Sequence, residues 1–128
     1  MKLLLRRDQQ AGGLLGKTVT FSLSVRAELT DDEKANIAKY KLGKTVLYTN
    51  AEGPDPKDLG LRHIGYALAY KMLNLSLSVD DLQNGKQIAC QEITEMLAVE
   101  EQIKKAAETF KLVLESAARF GGDEVLEF

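Results

Sequence analysis

Thr18-Val19-Thr20-Phe21-Ser22-Leu23-Ser24-Val25-Arg26-Ala27-Glu28-Leu29 alternates polar and apolar side chains without a break. Successive side chains of a strand point to opposite faces, so this period gathers Val19, Phe21, Leu23, Val25, Ala27 and Leu29 on one side. The other side holds only threonine, serine, arginine and glutamate. The stretch therefore predicts a long strand with one buried and one solvated face, as antiparallel sheets carry.

Working outward, Leu3 and Leu5 alternate with Lys2, Leu4 and Arg6, which predicts a first strand over residues 2–8. The glycine-rich Ala11-Gly12-Gly13-Leu14-Leu15-Gly16 joins it to the long strand as an antiparallel hairpin. On the other side, Thr30-Asp31-Asp32-Glu33 fits a capping box. The threonine oxygen accepts from the Glu33 amide, and the Glu33 carboxylate reaches back to the Thr30 amide. The helix it opens should stop near Leu42, with Gly43 at the left-handed position. Thr45-Val46-Leu47-Tyr48 resumes a strand, and Ala51-Glu52-Gly53-Pro54-Asp55-Pro56 is a loop.

Leu61, Ile64, Leu68 and Met72 recur at helical spacing and predict a helix from Asp58 to Leu73, although Gly60 and Gly65 weaken it. Leu75, Leu77 and Val79 alternate with Ser76 and Ser78 as a strand. Asp80-Asp81-Leu82-Gln83-Asn84-Gly85 is a turn with room for one helical turn, and Ile88 and Cys90 share a face of a short strand. Met96, Val99, Ile103, Ala106, Phe110, Val113, Ala117 and Phe120 then repeat at steps of three and four, with charges between them. They predict a long amphipathic helix from Glu92 to Phe120, ended by Gly121-Gly122. Asp123-Glu124-Val125-Leu126-Glu127-Phe128 has the composition of a closing strand. The expected order is β-β-α-β-α-β-β-α-β. That is an α+β protein, a largely antiparallel sheet with a long C-terminal helix and shorter helices packed on it. No composition shift marks a boundary, so residues 1–128 are expected to form a single α+β domain.

Composition narrows the function classes. Seventeen basic and nineteen acidic residues are interleaved, leaving a formal charge of -2. That lacks the concentrated basic footprint of a nucleic-acid binder. The lone Cys90 cannot form an internal disulfide. The start, Met1-Lys2-Leu3-Leu4-Leu5-Arg6-Arg7, has too short an apolar run for a signal peptide or a membrane span. The expectation is a cytoplasmic protein with no nucleic-acid or membrane partner.

Ala11 to Thr18 nearly spells a phosphate-binding loop, with alanine in place of the first glycine. Such a loop must open a helix, whose N-terminus helps to hold the phosphates. Here the clearest strand in the chain comes next. Leu15-Gly16-Lys17-Thr18-Val19 recurs letter for letter as Leu42-Gly43-Lys44-Thr45-Val46, again before a strand, and Gly85-Lys86 precedes Gln87-Ile88 in the same way. A Gly-Lys pair in this chain therefore reads as a turn entering a strand.

His63 and Cys90 are the only histidine and cysteine. With Asp80 or Asp81 they could form a nucleophilic constellation, but Cys90 beside Ile88 reads as a small core hydrophobe. One histidine and one cysteine do not make a zinc site, and Asp80-Asp81-Leu82 lacks the alternating acids of a calcium loop. No metal or cofactor is expected. On the predicted second helix, His63, Tyr66 and Tyr70 lie opposite the leucine stripe. Tyrosine joins large apolar area to a polar tip and is enriched at interfaces. That triplet is the candidate binding face, either as an interface or as the wall of a pocket. On the last helix, Ile93, Leu97, Ala107 and Leu114 widen the apolar stripe and Leu112 falls outside it, which suggests surplus surface. The expected function is a non-catalytic interaction or assembly module that self-associates as a homodimer, with a further protein partner possible. The alternative is a small-molecule-binding domain or minor enzyme with a pocket near His63.

Overall fold

A computed structural model describes residues 1–12, 18–49 and 75–128. In chain order its elements are β1 (Lys2–Gly12), β2 (Thr18–Glu28), α1 (Asp31–Lys39), β3 (Val46–Thr49), β4 (Ser76–Ser78), α2 (Val79–Asn84), β5 (Lys86–Cys90) and α3 (Ile93–Ala118). The architecture is α+β, with antiparallel strands, a long C-terminal helix and shorter helices. The predicted loop at residues 51–56, the predicted helix over 58–73, and His63, Tyr66 and Tyr70 on it, lie outside the described residues.

β1 and β2 pair along their whole length, from Lys2 opposite Glu28 to Gly12 opposite Thr18. β1 thus runs past the expected end near Asp8. Gln9, Gln10 and Ala11 carry little apolar pattern, but β2 offers them Phe21, Thr20 and Val19 as ladder partners. Backbone pairing extends the strand where the side-chain pattern stops. β5 pairs with the other side of β2, giving the order β1-β2-β5. Leu23, Val25 and Ala27 are buried on one face of β2, while Arg26 and Glu28 on the other are exposed. The period-two pattern has become one wet face and one that is dry from Leu23 to Ala27, while Phe21 is half-buried and Val19, expected on the same side, is exposed.

β3 and β4 form a second antiparallel pair, with an irregularity between Val46 and Tyr48. An extra residue in one strand rotates the side chains around it, and here the consecutive Leu47 and Tyr48 are both buried. α1 opens on the expected capping box. The Thr30 hydroxyl accepts from the Glu33 amide at 3.2 Å, and the Thr30 amide donates to Glu33 Oε1 at 2.9 Å. Its end differs from expectation. Lys41, not Gly43, takes the positive φ, at 52°. The Leu42 amide donates to Ile37 O at 3.0 Å and the Lys41 amide to Ala38 O at 3.3 Å, which are the two bonds of a Schellman cap. Gly43 instead approaches the end of the Asp80 side chain closely. A Cβ there would lie 2.5–2.8 Å from the Asp80 carboxylate.

The Asp80–Gly85 turn is a full short helix with its own capping box between Ser78 and Asp81. The Val79 and Asp80 amides donate to Thr45 O at 3.0 Å and Gly43 O at 2.8 Å, so the first turn of α2 is hydrogen-bonded to the approach to β3. α3 packs on β2, β3, β5 and α1. Met96, Val99, Ile103, Ala106, Phe110 and Ala117 are buried, as the spacing predicts. Leu114 and Ala98 are buried too. Leu114 is therefore core rather than surplus, because α1 and the sheet cover the helix over a wider arc than a single stripe. Gln102 is fully buried among these residues. The core cluster joins β2, β3, β4, β5, α1, α2 and α3.

The closing strand is absent. Asp123–Phe128 has no regular structure, and Val125, Leu126 and Phe128 are exposed. A strand exists only through the ladder a neighbour offers, and no described strand of the same chain lies beside this segment.

Candidate functional site

Of the Gly-Lys pairs, Gly16-Lys17 lies outside the described residues, but the strands that flank it are described. Gly12 closes β1 and Thr18 opens β2 directly opposite it. The hydroxyl that would hold magnesium in a phosphate loop thus belongs to a strand rather than a helix N-terminus. Gly43-Lys44 precedes β3, and Gly85-Lys86 leads from α2 into β5. The first amides of α2 are already taken by Thr45 O, Gly43 O and the Ser78 hydroxyl. No donors remain there for an anion.

Cys90 pairs with Phe21 on the core side of β5 and is buried. Burial pushes its thiol above the ordinary cysteine value, and the nearby negative charge of Glu95 adds to the shift. A thiol held protonated is a poor nucleophile. Asp81 is committed to the Ser78 amide and lies 3.8 Å from Lys86 Nζ. The histidine that such a constellation needs, His63, lies outside the described residues. Among the described residues no three histidine, cysteine, aspartate or glutamate side chains converge as metal ligands. No helix among them is long and apolar enough to cross a membrane.

What the described residues do offer is surface. Ile93, Leu97 and Leu112 are 59%, 46% and 64% exposed on α3. At 100° per residue they fall within about 100° of one another. Glu101, Lys104 and Glu108 share that sector, and Lys104 Nζ lies 3.3 Å from Glu101 Oε1. The face is mixed, and apolar residues scattered among charges need no partner.

A groove of about 660 Å³ lies over the three-stranded sheet, where Leu4, Arg6, Ser24, Arg26 and Gln87 meet. Cross-strand pairing places Leu4 opposite Arg26, and Ser24 between Arg6 and Gln87. It is shallow and open, whereas a small-molecule site buries most of its ligand.

The β1 edge is the feature sequence reading missed. Among the described residues β1 has a strand on one side only, so every second residue of its eleven directs backbone N–H and C=O groups away from β2. Leu3 and Leu5 on its core side are only half-buried, and Leu4 on the other side is 43% exposed. The strand carries Lys2, Arg6 and Arg7 against the single acid Asp8. Arg6 Nε donates to Asp8 Oδ1 at 3.1 Å, and Arg7 donates to Glu100 of α3. That hydrogen bond and the Glu100 charge push the Arg7 guanidinium above its ordinary value. Period-two alternation reveals a strand and its dry face but carries no signal of which strand lies outermost.

The chain matches no family model, no curated protein and no solved structure.

Proposed function

We propose that this chain is a non-catalytic protein-interaction or assembly module that self-associates as a homodimer. The observation that supports the reading is the long edge of β1, open among the described residues. Unpaired backbone groups beside half-buried leucines form a template for pairing with another chain. The shallow groove next to it, partly walled by β1, extends the surface a partner can cover. His63, Tyr66 and Tyr70 belong to the same proposal as candidate interface residues, on the grounds of tyrosine chemistry alone.

The test is native mass by light scattering over a wide concentration range, with the unfolding midpoint monitored in parallel. A dimer is expected, with a midpoint that rises with protein concentration, because association stabilises the folded chain by mass action. A strict monomer with a fixed midpoint would remove the self-association reading.

A further inference from the structure

We infer that Asp123–Phe128 of one copy adds as an antiparallel strand to the β1 edge of a second copy. The inference rests on the self-association reading and names its interface. Among the described residues there is a segment with strand composition but no sheet, and a long sheet edge with no strand. Val125, Leu126 and Phe128 are 86%, 65% and 115% exposed. The chemistry of the two parts matches. The tail carries Asp123, Glu124 and Glu127 and no basic residue, while β1 carries Lys2, Arg6 and Arg7 against the single acid Asp8.

Charge also selects among the available edges. β5 is open on its far side among the described residues, but it has five residues and one lysine against the eleven residues of β1. Two β1 edges laid together would bring two net positive strands against each other, whereas the tail is net negative.

Register comes from matching the faces. Leu126 opposite Leu5 and Phe128 opposite Leu3 cover the two half-buried leucines on the core side of β1. The same antiparallel register sets Glu124 opposite Arg7, Val125 opposite Arg6 on the outer face, and Asp123 opposite Asp8 at its far end. Direction then argues for a second copy. Met1 and the α3 residues Leu114 and Ala118 line one shared groove, so α3 ends where β1 begins. Phe120 packs on Tyr40 with ring centroids 4.9 Å apart, which holds the root of the tail at that end. From there a tail could run along its own β1 only in the parallel sense, the less stable pairing per residue. The antiparallel register has to be approached from the other end of the sheet. Reciprocal exchange of the two tails closes a two-fold dimer.

The experiment compares native mass for the full chain, for a chain ending at Gly122, and for the full chain carrying Leu126→Asp with Phe128→Asp. Circular dichroism on each checks that the fold survives. A fourth protein carries Arg6→Cys with Val125→Cys and is run under non-reducing denaturing conditions. The inference expects a dimer for the full chain, one-chain mass for both tail variants, and a disulfide-linked dimer for the cysteine pair. A dimer that survives truncation would overturn the inference and leave self-association standing. A cysteine pair that closes within one chain would also overturn it. One-chain mass for the unaltered protein at every concentration would remove both readings.

Discussion

Gly85 stands between α2 and β5 with φ 95° and ψ 139°. Glycine reaches that combination freely, while an L side chain there is strained. An added Cβ would meet nothing closer than Val25 O at 3.7 Å, an ordinary contact. The cost of Gly85→Ala is therefore backbone strain, about 1–3 kcal/mol, read as a lower urea midpoint at unchanged slope. Glu33 illustrates a second kind of residue-scale constraint. Partial burial raises its carboxyl pKa, but hydrogen bonds from Thr30 and from the Met1 amino group, together with that group's charge, outweigh it and hold the carboxyl below its ordinary value of 4.5. A depressed carboxylate stabilises the fold fully above its unfolded value, and the contribution is lost as pH falls through the folded one. Glu33→Gln keeps an oxygen for the capping box but removes the charge. The stability gap between the native sequence and this variant should shrink between about pH 6 and pH 3. A gap that stays constant across that range would refute the assignment.

At the scale of elements, α3 shows how one helix can hold tight and indifferent positions side by side. Its 26 residues span about 39 Å, enough to reach from the first sheet across to α1. Phe110 is fully buried and Leu112, two residues on, is 64% exposed. Phe110→Ala should cost about 3–5 kcal/mol, since the cavity adds to the lost transfer free energy. Leu112→Ala should change stability by no more than about 0.5 kcal/mol. Chemical denaturation of both variants checks the contrast. Equal losses would mean that Leu112 is covered in solution, and would point to an interface on that side of α3. The ends of the elements obey a related logic. α1 and α2 each begin with a reciprocal hydroxyl–carboxylate cap, whereas α3 begins at Glu92 without a side-chain cap and relies on packing.

On the scale of the molecule, the distribution of charge matters more than its sum. A formal charge of -2 hides a basic first strand and an acidic last segment. An edge strand rich in lysine and arginine resists pairing with copies of itself, a common safeguard against aggregation. The same charges favour an acidic strand. Exchange of tails would thus give a closed dimer where bare edges would give open-ended association. The light-scattering series and the tail variants together decide whether the protein uses that complementarity.

Much of the fold was legible in the chain itself. Thr18 to Leu29, Thr30 to Glu33 and the stripe from Met96 to Ala117 each carry their structure in local spacing, because side-chain period and end-capping depend on neighbours in sequence. That Thr18 opens a strand was legible for the same reason, since the alternation starts there. Tertiary contact decided the rest. It placed Lys41 rather than Gly43 at the left-handed position, buried Leu114, and gave Gly43 its closeness to Asp80. Among the described residues it also left Asp123–Phe128 without a sheet and β1 with an open edge. Spacing states which face of an element is apolar. Which elements become neighbours, and which edge is left over, depends on contacts between residues far apart in the chain, and no local pattern encodes them.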